Sequence, residues 1–558
     1  MTRQLRLSLV TLVGFGLLGA ASVDAGTVQV STDPFTNAGS QHMTEVEPQI
    51  FANGSTIVAV FQQGRIFGGG SSDIGFATSL DGGATWQQGS LPGLTIWVGG
   101  TRYQSVSDPS LSYNAAFGLW EVVSLPVGNG TREVFLSRSA DGLNWDDPIT
   151  VYQAFSGSFD KTWMTCDNWP TSPFFGNCYI EWDDVGSGGV ILMTTSSDGG
   201  ATWGTPVATS GRASGLGGQP LSQPSGRVLV PYANFGGNIR AFFSDDGGNS
   251  WGAPVAVANV NEHNVAGGIR DADLPSAAID GDGTIYVVWG DCRFRTACHS
   301  NDIVITSSAD GETWSPVTRI PIDDVSSNAD HFLPGLGADR NSFAPNVGLA
   351  VVFYYYPQAS CSVSTCQLTV GFITSSDGGQ SWTDPVDVGG PMLVNWIANT
   401  SSGRMVGDYF SAFYTDDGVP HPIFGNATPP LGMFFQSMFS TCADCPSAAS
   451  GQAQIANSSE EAEPVAEEWQ AGAAQSPSGA LRVSAEAYRV NIGTILPLSA
   501  SGPAAESGAV NWEIEEGAAG GGVSGGVYTA PLSPGVYHIV ARAGAERARL
   551  AIKVFTVQ

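Results

Sequence analysis

The chain has 558 residues, 42% of them hydrophobic and 13% charged, with a formal net charge of -29 and only two lysines, Lys161 and Lys553. That length exceeds one small domain and calls for two or more. So acidic a balance excludes nucleic acid, or an anionic membrane, as a partner held through a basic field, and reads most simply as solubility outside the cell.

At the N-terminus, Arg3 and Arg6 precede an apolar run from Leu9 to Leu18, and small residues follow down to Val23-Asp24-Ala25. A basic start, a short apolar stretch and an A-x-A-like site predict a signal peptide over 1–25, cut after Ala25, and hence a secreted protein. The run is too short to span a bilayer and no second apolar segment of about 20 residues follows, so no membrane insertion is expected.

From residue 26 a repeat organises the chain. SLDGGATW (Ser79 to Trp86), SADGLNW (Ser139 to Trp145), SSDGGATW (Ser196 to Trp203), SDDGGNSW (Ser244 to Trp251), SADGETW (Ser308 to Trp314) and SSDGGQSW (Ser375 to Trp382) are six versions of one motif. Their spacing, roughly fifty to seventy residues, suits propeller blades with variable loops. Strand-like runs rich in β-branched and aromatic residues precede each copy, such as Val190–Thr194, Ile303–Thr306 and Leu368–Thr374, and a short run follows, as in Pro206–Ala208. The motif therefore predicts a hairpin turn in which Asp accepts backbone N–H bonds, Gly supplies positive φ and Trp packs on the blade. After the sixth copy come three more runs, Val406–Tyr414, Val419–Phe424 and Gly432–Phe439, with no motif and no outer strand. Thr27–Ser31 is the natural candidate to supply that strand and close the ring. This count gives seven blades; six, with the last set as a cap, is the alternative.

Eight cysteines fall into close neighbours: Cys166 with Cys178, Cys292 with Cys298, Cys361 with Cys366, and Cys442 with Cys445. Local disulfides suit an exported chain, whereas zinc would need four converging ligands and Cys442-Ala-Asp-Cys445 has no second half. The propeller is thus expected over 26–445. Residues 446–480, rich in Ala, Ser, Gln and Glu and including EEAEPVAEE, read as a disordered acidic linker. Short alternating runs fill 481–558 around Asn511–Ile514, Val527–Pro531 and Val536–Val540.

The motif is similar to the Asp-box, S-x-D-x-G-x-T-W, of the sialidase (neuraminidase) superfamily, also called the BNR repeat; two copies lack one residue, at Leu143 and Glu312. The resemblance implies an all-β Asp-box β-propeller. The tail resembles a bacterial Ig-like β-sandwich in its G-x-YTAP stretch, Gly526 to Pro531, and its closing alternating run. Many Asp-box propellers hydrolyse nothing, so the site has to be argued separately.

Catalytic sialidases hold the substrate carboxylate with three arginines, attack with a tyrosine activated by a glutamate, and use an aspartate as acid/base. FQQGRIFGGGSSDIGFATS, Phe61 to Ser79, resembles the family stretch from an arginine to the first box, which makes Arg65 a sugar contact and Asp73 the acid/base. SGRVLVPY, Ser225 to Tyr232, resembles a segment ahead of another box; downstream, Glu262 in Asn261-Glu262 matches the family glutamate. Arg293 in VVWGDCRFR matches the second clamp arginine, and Tyr409 in VGDYFSAF stands where the nucleophile is expected. The family's opening Arg-Ile-Pro is replaced by Glu45-Val46-Glu47-Pro48-Gln49-Ile50, so the first clamp arginine is missing; Arg270 and Arg404 are candidates to substitute. The loops leading into the first strands instead collect Glu45, Glu47, Asp108, Asp160, Asp271, Asp273, Asp330 and Asp408, an acidic mouth that repels a sialate unless arginines are packed among them. Those acids also offer oxygen ligands to calcium, but no loop has a calcium spacing, and no cofactor is predicted. Structural roles compete throughout: Arg65, Arg270 and Arg293 as ion pairs, Tyr409 as core, Asp73 as a loop cap. Trp163 and Trp169, in the Asp160 to Trp182 stretch, stack on sugars or close a blade. Two functions follow: a secreted, monomeric sialidase-like glycoside hydrolase acting on terminal sialic acids, or a non-catalytic propeller binding extracellular glycans or glycoproteins.

Overall fold

The computed structural model describes residues 26–128, 132–271, 274–442, 482–485, 489–491, 495–501, 510–514, 517–533, 535–543 and 546–555. The expected signal peptide and linker, Asp273 and Cys445 lie outside them. Two compact units divide the chain, Met1–Gln452 and Ala453–Gln558.

The first unit is a β-propeller. Among the described residues its strands form four-stranded antiparallel ladders over 45–90, 105–153, 159–208, 221–259, 276–319, 330–393, and 411–442 together with 26–29. The first two sheets are continuous through a single pairing, Ser71 with Val106. In the first six sheets the first strand in sequence lies innermost, as Ser411–Tyr414 does in the last, and neighbouring innermost strands touch around a closed ring, from Glu45–Asn53 through to Ser411–Tyr414 and back. The end of the ring is closed by the chain's own start: Gly26–Gln29 pairs antiparallel with Phe435–Cys442, Gly26 opposite Cys442 and Gln29 opposite Phe439. The last blade thereby gains its outer strand, and its rim edge is the four-residue strand Gly26–Gln29.

Because every blade is covered on both sides, its central strands are apolar on both faces. In Thr56–Arg65 the run Ile57-Val58-Ala59-Val60-Phe61 is fully buried, and its residues alternate between two cores. Ile57, Ala59 and Phe61 pack with Ile423 and Met438 of the last blade. Val58 and Val60 pack with Leu111, Trp120 and Val122 of the second. This is the two-residue period of a strand read into two interfaces at once.

All six Asp-boxes form the turn between the third and fourth strands of a blade. In the third, Ser196 Oγ donates to Asp198 Oδ1 (2.8 Å) and accepts from Gly200 N (3.1 Å), while Asp198 accepts from Thr202 N (2.9 Å) and Trp203 Nε1 donates to Gly200 O (3.2 Å). The two short copies keep the Ser–Asp bond at 3.0 Å, but Trp145 Nε1 and Trp314 Nε1 find no acceptor among the described residues. Disulfides join Cys166 to Cys178, Cys292 to Cys298 and Cys361 to Cys366; the expected Cys442 partner, Cys445, is outside the described residues.

The run predicted at Val406–Tyr414 pairs only from Ser411 onward. Gly407, at φ 148°, lies so close to the Glu47 backbone that a Cβ there would stand 2.9 Å from Glu47 N. In the second unit two four-stranded sheets share a core in which Leu496, Leu498 and Tyr528 of one meet Tyr537 and Ile539 of the other.

Candidate functional site at the channel mouth

A repeated backbone device shapes the mouth. The innermost strands of the first, second, third and sixth blades each slip register near their start, between Val46 and Gln49, Ser107 and Ser110, Asp160 and Trp163, and Phe332 and Gly335. At each slip one non-glycine residue takes a left-handed conformation: Glu47 (φ 55°), Asp108 (φ 51°), Lys161 (φ 43°) and Leu333 (φ 49°). Three of the four precede a proline, Pro48, Pro109 and Pro334. Proline donates no ladder bond and is tolerated inside a sheet at such bulges. Left-handed backbone in charged, non-glycine residues costs on the order of 1 kcal/mol or more each and collects at functional sites.

Three of these residues face one polar cavity of about 360 Å³, together with Gln62, Arg65, Phe67, Asp160, Arg270 and Asp408. Arg270 donates to Asp408 Oδ2, and Gln62 donates to Glu47 Oε2 and to Ser107 Oγ (3.2 Å). Arg65 donates to Gln41 Oε1 (3.1 Å) and touches Met405 Sδ (2.9 Å). The Lys161 ammonium is buried with no hydrogen-bond partner among the described residues; it lies 3.5 Å from the Tyr409 ring centroid and 4.0 Å from that of Trp163.

Burial dominates the electrostatics. It holds the Glu47 carboxyl well above the carboxylate range, helped by Asp108 and Asp408 and opposed by Arg270 and Lys161. Asp108 and Asp408 are raised by burial against the pull of Lys161 and Arg270 respectively, and Asp160 is pushed up to about 6. Burial lowers Lys161 despite the acids around it, and lowers Arg65 to about 10. For Arg270 the same burial is outweighed by Asp408 and Glu47, which raise it. The cavity therefore mixes guanidinium groups with carboxyls whose protonated form burial favours, and such a pairing can bind an anion and donate a proton to it.

The sequence-predicted residues divide into three places. Arg65 and Arg270 meet in the cavity. Arg404 stands beside Arg270 through its backbone, Arg270 N donating to Arg404 O (2.6 Å), while its guanidinium donates to Ile397 O. Tyr409 lies beneath the floor, 3% exposed, its hydroxyl donating to Pro109 O (3.3 Å), with burial raising its phenol far above 10. Glu262 and Arg293 sit together elsewhere, at the Cys292–Cys298 loop. Cys292 N donates to Asn261 O (2.7 Å) and Cys298 Sγ lies 3.6 Å from Glu262 O, while Arg293 is held by Asp291 (2.7 Å) and by Asn259 O. Asp73 is fully buried in the third strand of the first blade, bonded to Thr95 Oγ1 (2.7 Å) and Ile74 N (2.8 Å), with its carboxyl raised by burial to about 8. None of Asp73, Glu262 and Arg293 lines the mouth cavity. The sequence places Glu47, Asp108, Asp160 and Asp408 at the mouth as acids that repel a sialate or offer oxygen ligands to calcium, not as proton donors, and it gives Lys161 no role; the signal for the bulges is the acid–proline pair early in two first strands.

Residues 128–336 match the family model described as BNR repeat-like domain. Among curated proteins none matches this chain. Similar solved structures include a protein of unknown function from Dyadobacter fermentans (14% identity, TM-score 0.38, covering 60% of this chain and 93% of that one). A Hadza microbial sialidase is similar at 17% identity and TM-score 0.38, covering 62% and 66%. The NanB sialidase of Streptococcus pneumoniae is similar at 14% identity and TM-score 0.38, covering 75% and 70%. No helix among the described residues is long and apolar enough to cross a membrane.

Proposed function

We propose that the BNR propeller is a secreted, monomeric, sialidase-like glycoside hydrolase whose site is the mouth cavity, taking a terminal sialic acid of an extracellular glycan, with the C-terminal unit as an Ig-like spacer. The observation that carries the reading is the convergence of Arg65 and Arg270, 205 positions apart in the chain, on one polar cavity beside Glu47, a carboxyl whose protonated form burial favours. Two planar forks suit the sugar carboxylate. Glu47 supplies the proton that the leaving oxygen needs, and Asp160, at about 6, accepts one from water. Phe67, 52% exposed at the rim, offers a face to the sugar ring. Tyr409 serves as nucleophile only if its hydroxyl leaves Pro109; in the observed arrangement its ring supports Lys161.

A second reading, binding without hydrolysis, is favoured by one observation: both guanidinium groups already have partners, Asp408 for Arg270 and Gln41 for Arg65. A fluorogenic sialoside assay separates the two. Turnover by the wild type that is lost in Arg270→Gln and kept in Arg293→Gln supports hydrolysis at the mouth. Saturable binding of the sialoside with no turnover supports the second reading, and neither binding nor turnover removes both.

A further inference from the structure

The channel has another end. The innermost strands run from the mouth toward the face that carries the Asp-boxes, and there Arg340 follows the strand Asp330–Ala338 and enters the channel among residues from all seven innermost strands. Its guanidinium carbon lies 5.6 Å from the Phe51 ring centroid and 5.8 Å from those of Trp169 and Phe413. Three aromatic faces attract the cation but accept none of its five N–H bonds. Among the described residues the Arg340 side chain makes no hydrogen bond and no ion pair. Burial pulls it down to about 10, so it remains charged at neutral pH, with Asp167 as its one opposing influence. The Asp167 carboxylate is itself engaged by Ser172 Oγ and by Trp169 N (3.1 Å). A cavity of about 240 Å³ opens beside the guanidinium, walled by Phe51, Tyr113, Trp169 and Phe413.

A charged fork with no protein acceptor, walled by aromatic faces and open to a cavity, is placed to take an anion. We propose that this end of the channel is a second binding site, separate from the mouth, for a single carboxylate carried on an aromatic or aliphatic body. The carboxylate takes the guanidinium bidentately and the apolar body lies against Phe413 and Trp169. The rim decides the class of anion. Asp339 and Asp416 stand there, Asp339 accepting from Asn341 N (2.8 Å) and Asp416 from Asn341 Nδ2 (3.4 Å). They repel a dianionic phosphate or sulfate about twice as strongly as a carboxylate, and an inorganic ion has no apolar body to offset that repulsion.

Isothermal titration of the full chain with benzoate, benzyl alcohol and sulfate tests the site, using wild type, Arg340→Met, Arg340→Lys and Arg65→Gln. Saturable benzoate binding is expected, at least tenfold weaker in Arg340→Met, several-fold weaker in Arg340→Lys, and unchanged in Arg65→Gln. Benzyl alcohol and sulfate should each bind at least tenfold more weakly than benzoate. The proposal is overturned if wild type does not bind benzoate, if Arg340→Met or, should that variant not fold, Arg340→Lys binds it as well as wild type, if sulfate competes equally, or if Arg65→Gln abolishes binding.

Discussion

Replacing Asp73 by Asn should stabilise the propeller at neutral pH. Thr95 Oγ1 lies 2.7 Å from Ser72 O and 2.7 Å from Asp73 Oδ2, yet a hydroxyl has one proton to give. A protonated Asp73 resolves the conflict by donating to Thr95, which then donates to Ser72. Burial supplies the cause, holding this carboxyl at about 8 against the usual 3.8, with the bonds from Thr95 and Ile74 opposing it. The sign follows from linkage. The native state keeps a proton that the unfolded chain releases above 3.8, so stability from this group is complete below that pH. It falls by about 1.4 kcal/mol per pH unit from there to about 8. At pH 7 the accumulated cost is on the order of 4 kcal/mol, an upper figure. An amide keeps the acceptor for Ile74 N, donates to Thr95 and carries no charge. Urea unfolding of wild type and Asp73→Asn from about pH 5 to pH 8 should therefore show a stability difference that favours the variant and widens as pH rises. Glu45, also raised by burial to about 8, contributes equally to both proteins and cancels. A variant less stable than wild type, with an unchanged pH slope, would show that Asp73 is ionised and refute the reasoning. Sialoside turnover should survive the substitution, because Asp73 does not reach the cavity.

Three further outcomes are expected. Ser196→Ala removes the acceptor for Gly200 N and the donor to Asp198, and should cost about 1–2 kcal/mol in urea unfolding, as a lost cap does. Lys161→Met leaves Asp108 without its buried cation and should lower stability by about 3–5 kcal/mol at neutral pH. That loss should shrink as falling pH protonates the acids, which thermal melts at several pH values will read. Breaking Cys166–Cys178 by double substitution to Ala releases a loop whose ends are 12 residues apart and should cost about 3 kcal/mol in the same assay.

The propeller was legible because its information is local and repeated. Each Asp-box carries its own turn chemistry, and the alternating apolar runs ahead of it are long enough to fix strands on both sides. The closing strand at Gly26–Gln29 was also readable, since the last set of runs lacked an outer partner. The site was less so. Arg65 and Arg270 stood out as charges near first strands, but their meeting depends on the ring, which joins residues far apart in sequence. Glu262 and Arg293 follow a family pattern in sequence, yet the Cys292–Cys298 loop holds them over the fifth blade. Asp73 lies on a strand whose neighbouring blade buries it, which no spacing reveals. The acid–proline pairs at Glu47 and Asp108 were visible, and only the bulges they impose show that these side chains enter the channel.

A crystal structure of the protein soaked with a non-hydrolysable sialoside tests the central claim most directly. Density for the sugar carboxylate between the Arg65 and Arg270 guanidinium groups, with Asp408 displaced from Arg270, is the predicted result. A sugar bound at Glu262 and Arg293, or a mouth cavity left without sugar at saturating ligand, would contradict it.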